Sequence, residues 1–99
     1  MKYESWLFGK DGALLRAAVT GKLTLAEELI RDGANANTVS RNGYTPLHRA
    51  AQNGHIEVVR LLCRHGANAA AVSKDNVSPL DLARKNNHTA IVEMLGRKT

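Results

Sequence analysis

Four histidines, one cysteine and two Asn-x-Ser/Thr triplets are the side chains of this 99-residue chain most able to do chemistry. An imidazole serves as a general base, a thiolate as a nucleophile, and either binds zinc. His48 and His55 bracket the segment "HRAAQNGH", His65 follows "CR", and His88 opens "HTAIVEML". None of these spacings builds a site. His55 and His88 recur at the same place in a repeated pattern, so they are expected about 10 Å apart, one helix-packing distance, and do not converge. Zinc takes about four ligands in paired spacing, and Cys63 with His65 has no second pair. "GKDG" at residues 9–12 has the glycines of a phosphate loop but no Lys-Ser/Thr pair after them. Asn76-Val77-Ser78 and Asn87-His88-Thr89 fit the glycosylation pattern, but no secretion signal precedes them, and Pro79 follows the first. The expectation is no catalytic, cofactor or metal site, hence no enzyme. Cys63 reads as a buried, inert thiol on an apolar helix face, where the first unit has Ile30.

The elements that hold these residues come from an internal repeat. Residues 9–41 laid over 42–74 agree at 13 of 33 positions, among them Leu14/Leu47, Arg16/Arg49, Gly21/Gly54, Gly33/Gly66, Val39/Val72 and Ser40/Ser73. Residues 42–66 laid over 75–99 agree at 8 of 25, including Pro46/Pro79, His55/His88 and Leu62/Leu95. The period is 33 with no insertion. Each unit reads as two short helices and a turn. Thr45 caps the first helix and Pro46 sits just inside its start; Ser78 and Pro79 do the same one unit later. Ala50 and Ala51 keep that helix thin. After Gly54, "HIEVVRLLCRHG" gives a second helix with Ile56, Val59, Leu62 and Cys63 at three- and four-residue spacing. Gly66 ends it, and a polar turn leads to the next unit.

Length allows one domain, drawn as a lead segment (residues 1–10) and a repeat region (11–99) with units 11–41, 42–74 and 75–99. Only Tyr3, Trp6, Phe8 and Tyr44 are aromatic, so the repeat core must be aliphatic. The net charge of +5, from 14 basic and 9 acidic residues, favours acidic partners. It is too small, and too poor in interleaved aromatics, for a nucleic-acid binder. The lone cysteine fits a reducing compartment, cytoplasmic or nuclear. The apolar run at residues 6–8 is too short for a signal-peptide core, and no segment reaches the 18 or more apolar residues of a membrane span. "KYESWLF" at residues 2–8 is expected to lie over the edge of the first helix pair, because an exposed Trp-Leu-Phe cluster invites aggregation.

The 33-residue period and "GYTPLHRAAQNGHIEVVRLLCRHGAN" together resemble the ankyrin repeat, whose first helix starts Thr-Pro-Leu-His-x-Ala. The likeness spans residues 11–99. It is weaker in the outer units: Gly12-Ala13 replaces the first Thr-Pro, Asp81 stands for the motif histidine, and Asn76 and Asn87 stand for glycines. Terminal units differ in this way when they act as caps. The resemblance implies an all-α solenoid of stacked helix-turn-helix units with projecting turns, a structural role for His48, and a monomer that binds another protein. It maps the binding positions to Val39, Arg41, Asn42, Tyr44, Gln52 and Asn53, then Lys74, Asp75, Val77, Lys85 and Asn86. Asn37 resembles the asparagine that a factor-inhibiting hydroxylase modifies in ankyrin turns; the second unit has Ala70 there. Basic residues recur in register, Arg16 with Arg49, Arg31 with Arg64 and Arg41 with Lys74; these columns read first as solvated helix faces and second as a surface for an acidic partner. Arg41 and Lys74 flank Tyr44 on one edge, so the partner is expected to carry an acidic rim. The competing reading is an engineered or purely structural scaffold. Partial identity between units, a lone cysteine and the Trp-bearing lead favour a natural binding protein.

Overall fold

A computed structural model of the chain describes residues 9–96. It contains α1 (Gly9–Thr20), α2 (Leu23–Arg31), α3 (Pro46–Gln52), α4 (Ile56–Arg64), α5 (Pro79–Lys85) and α6 (Thr89–Gly96). Among the described residues there is no strand. The lid expected of residues 2–8 falls outside the described residues.

Helix starts follow directly from local sequence. A residue before proline is driven out of the helical region, so Thr45 (ψ 170°) and Ser78 (ψ 163°) stay extended and α3 and α5 begin at Pro46 and Pro79. Both caps are reciprocal. The Thr45 hydroxyl accepts the His48 N–H at 3.2 Å while His48 Nδ1 accepts the Thr45 N–H at 3.1 Å. In α5, Ser78 and Asp81 make the same exchange at 3.0 Å each way. The first unit has no Thr-Pro stop, and α1 runs further back, reaching 12 residues against seven in α3 and α5. At the C-terminus of α4, Gly66 takes φ 86°. Its N–H reaches the Cys63 carbonyl and the Ala67 N–H reaches Leu62, which satisfies two orphan carbonyls at once.

The units stack through two layers of unequal spacing. Ala17, Ala18, Ala50, Ala51 and Ala83 are fully or almost fully buried, so α1, α3 and α5 approach closely around Leu14 and Leu47. The second helices meet through larger side chains: Val58, Val59, Leu61 and Leu62 of α4, with Ile91 of α6. Between α2 and α4 this leaves a groove lined by Glu27, Ile30, Arg31, Leu61, Arg64 and His65. Another, between α4 and α6, is lined by Ile56, Arg60, Ala90, Glu93 and Met94.

Cys63 departs from expectation: it is exposed. The buried line of α4 is Val58, Val59, Leu61 and Leu62, whereas Cys63 continues the Ile56–Arg60 line at i, i+4, i+7, which borders the open α4–α6 groove. What crowding remains around the sulfur pushes its thiol pKa up, so the side chain is accessible but not activated.

His48 is wholly buried and joins two units. Because Nδ1 accepts a backbone N–H, the ring proton sits on Nε2 and is donated to the Val77 carbonyl of the next turn, at 2.7 Å. Burial lowers its pKa below the ordinary 6.5; the Val77 bond opposes this in part, and Arg49 adds to the lowering. A histidine depressed in the fold holds its proton more tightly when unfolded. Its stabilisation is therefore complete above about pH 6.5 and is lost progressively as pH falls toward the folded value. Asp81 behaves likewise at lower pH: hydrogen bonds from the Ser78 backbone and then its side chain hold the carboxyl below 3.8. Its contribution is present above that value and lost as pH falls through the depressed one. Melting temperature is thus expected to decline in two stages, below about pH 6.5 and again below about pH 4. Replacing His48 should flatten the first stage alone, which melting curves from pH 8 to 3 would reveal.

Candidate protein-binding surface

Two turns project between the second helix of one unit and the first helix of the next, and they are built alike. The Ser40 N–H donates to the Tyr44 carbonyl at 2.9 Å, and the Ser40 hydroxyl accepts the Tyr44 N–H at 3.3 Å. In the second turn Ser73 and Val77 repeat this at 2.9 and 3.2 Å, and Ser73 also accepts the Asp75 N–H. A short serine side chain ties each tip because its hydroxyl reaches backbone two to four residues on. The tips are then joined to each other: the Lys74 N–H donates to the Asn42 carbonyl at 3.0 Å. Below them Asn37 bridges the same units, donating to the Gly66 carbonyl at 3.0 Å and accepting the Asn68 N–H at 2.8 Å. The result is a row of tips whose register is fixed by backbone and amide bonds.

The residues mapped to binding fall into three groups. Val39, Arg41, Asn42, Lys74 and Asp75 are exposed at or beside the tips. Val39 is 49% exposed and its counterpart Val72 is 53% exposed. Tyr44 and Gln52 lie along α3, bridged by an arginine: the Arg49 guanidinium stands 4.3 Å over the Tyr44 ring and donates to Gln52 Oε1 at 3.0 Å. Tyr44 also packs on His48, with centroids 5.1 Å apart, and is half-buried. Lys85 and Asn86 stand exposed at the C-terminal end of α5.

Asn53 and Asn86 are engaged as well through their side chains, and Val77 through its carbonyl. The Asn53 amide donates to the Val19 carbonyl at 2.9 Å, and the Asn86 amide donates to Leu82 of its own helix. Val77 is half-buried, and its carbonyl holds His48. The mapping does not include Val72, exposed at its tip, or Arg49, which bridges Tyr44 and Gln52. Both were legible from the repeat, since Val39/Val72 and Arg16/Arg49 are among its identities. The anchoring role of Ser40 and Ser73 was also in that list but unread.

Among the described residues no three His, Cys, Asp or Glu side chains are grouped to hold a metal, and every buried side-chain nitrogen and oxygen has a hydrogen-bond partner. His55 and His88, separate as expected, each donate to a carbonyl of the preceding unit, Val19 and Gln52, at 3.0 Å. A rigid, polar-satisfied scaffold with an exposed row of mixed side chains is suited to recognition.

A family model described as "Ankyrin repeats (3 copies)" matches residues 14–98. A comparison with curated proteins gives no match.

Proposed function

We propose that this chain, which belongs to the ankyrin-repeat family, is a non-catalytic adaptor or regulator whose turn tips and first helices hold a partner protein. Ankyrin repeats are generally protein–protein interaction modules and typically non-catalytic. The observation that carries the reading is the pair of exposed valines, Val39 and Val72, placed in register by hydrogen-bonded tips that also carry Arg41 and Lys74. Large aliphatic groups half in water at the ends of rigid turns are ready anchors, and the cations beside them favour a partner with an apolar centre and an acidic rim. The chain acts as a monomer in the cytoplasm or nucleus, where an exposed lone thiol stays reduced.

The test is differential capture. Proteins retained by the wild type should be lost with Val39→Ser/Val72→Ser/Lys74→Glu and kept with Arg60→Glu on the opposite helix layer. Loss with Arg60→Glu instead would place the site elsewhere. With a partner isolated, Tyr44→Ala should weaken binding by about 1–2 kcal/mol, a usual anchor effect. The variant should also melt several degrees lower, because the ring packs on His48 and Arg49. Arg41→Ala should chiefly slow association and reduce its salt dependence. Titration calorimetry and stopped-flow kinetics measure the two effects; unchanged affinity for Tyr44→Ala would remove it from the site.

A further inference from the structure

The chain carries one reactive pair of residues twice: Asn42-Gly43 at the first turn tip and Asn53-Gly54 at the end of α3. An asparagine before glycine is open to attack by the next backbone nitrogen, because glycine has no Cβ to shield that nitrogen. The two pairs sit in different surroundings.

At the tip Asn42 is exposed, and among the described residues its side-chain amide has no hydrogen-bond partner. Its Cγ is free to turn onto the Gly43 nitrogen. That N–H is held by one bond, to the Ser40 carbonyl at 2.9 Å, in a turn where Gly43 has φ 83°. At the end of α3 the Asn53 amide is engaged by the Val19 carbonyl of the preceding unit, at 2.9 Å. The Asn53 N–H reaches Arg49, and the His55 N–H reaches Ala50, which is fully buried. The Gly54 N–H bond, to Ala51, is the longer of the two glycine bonds at 3.4 Å, so the contrast does not lie in the attacking nitrogen. It lies in what must open with it: a few bonds of a tip, against the last turn of a helix and a seam between units. Opening costs little in exposed turns and approaches the global stability in packed helices.

We propose that Asn42 is a modification site, converting itself to aspartate and isoaspartate through a succinimide shared with Gly43, while Asn53 stays intact. Base from the solvent takes the Gly43 N–H proton, the nitrogen bonds to Asn42 Cγ, and the Cγ–Nδ2 bond breaks to release ammonia. Water then adds to one of the two ring carbonyls, and the C–N bond at that carbon breaks. Addition at Cγ gives aspartate. Addition at the former backbone carbonyl gives isoaspartate, whose main chain runs through Cγ and is longer by one methylene. That carbonyl is the acceptor of the Lys74 N–H at 3.0 Å, and the tips leave no slack: a Cβ on Gly43 would stand 3.0 Å from the Lys74 nitrogen. Isoaspartate therefore breaks the joint between the tips. Either product also lowers the net charge of +5 by one, at the edge that carries Arg41 and Lys74.

The experiment ages the full chain at 37 °C in mildly alkaline buffer, folded or in guanidinium chloride, followed by digestion at acid pH and peptide mass spectrometry. In denaturant both asparagines should convert at similar rates. In the folded chain Asn42 should convert at least about tenfold faster than Asn53. Equal rates in the fold, or an Asn42 that stays intact while both react in denaturant, would overturn the proposal. The isoaspartate form, separated by cation exchange, should show faster amide exchange at Lys74 with α3 unchanged. Unaltered exchange at Lys74 would overturn the effect on the tips. Slower association of a partner with the aged chain is also expected, and this arm rests on the proposed binding surface. Unchanged association with Asn42 converted would count against that surface and not against the modification.

Discussion

Leu62→Ala is expected to destabilise the protein by about 2–5 kcal/mol, enough to leave much of it unfolded at 37 °C. Leu62 is fully buried, in the middle unit, in one cluster with Ala50, Val58, Val59 and Ile91. Truncating it loses the transfer energy of the removed methyl and methylene groups and leaves a void that neighbours on two layers cannot both close. In a stack, the central unit also carries both interfaces, so its loss uncouples the outer two. For a domain of this length each kcal/mol lowers the melting temperature by roughly 4–8 °C. Leu29 and Leu95, at the same place in the outer units, are only half-buried, and their alanine variants should lose less. Urea titration of the three variants checks the order; a Leu62→Ala midpoint equal to wild type would mean the register of α4 is wrong.

His48→Ala should cost about 2–4 kcal/mol, through bonds more than through volume. The ring accepts the Thr45 N–H, donates to the Val77 carbonyl, and supports the Tyr44 ring. Its removal leaves two backbone groups without partners at the point where the second unit meets the turn of the third. Asp81→Ala removes the matching cap in α5, but that site is fully exposed and water replaces the lost bonds, so the effect should be clearly smaller. The contrast explains the residue choice. An aspartate serves where the cap faces solvent; at position 48 its charge would be buried beneath Val77. Equal losses for the two variants would show that His48 acts only as a cap and does not tie the units.

Periodicity and cap chemistry made the fold readable. Thr45-Pro46, Ser78-Pro79, Gly54 and Gly66 each have a local physical reason for their place, and the helices start and stop where those residues require. Cys63 was misplaced because spacing on a short helix does not tell the buried line from the line beside an open groove. The structural work of His55 and His88 was invisible for a different reason. Their partners, Val19 and Gln52, are backbone carbonyls in another unit, and a carbonyl has no signature in sequence. The turn tips were legible as an edge, but the exposure and bonding of their side chains were not. Asn53 looked free and is engaged, while Val72 is as exposed as Val39 and follows from the same repeat.

The central claim, recognition through turn tips and first helices, is tested most directly by site-specific photocrosslinking. A photoreactive amino acid would replace Val72 at a tip or Glu57 on the opposite helix layer, in the cells that make the protein. The account predicts a discrete crosslinked adduct from position 72 that disappears when Val39→Ser and Lys74→Glu are added, and none from position 57. Adducts formed from position 57 with position 72 silent would contradict it.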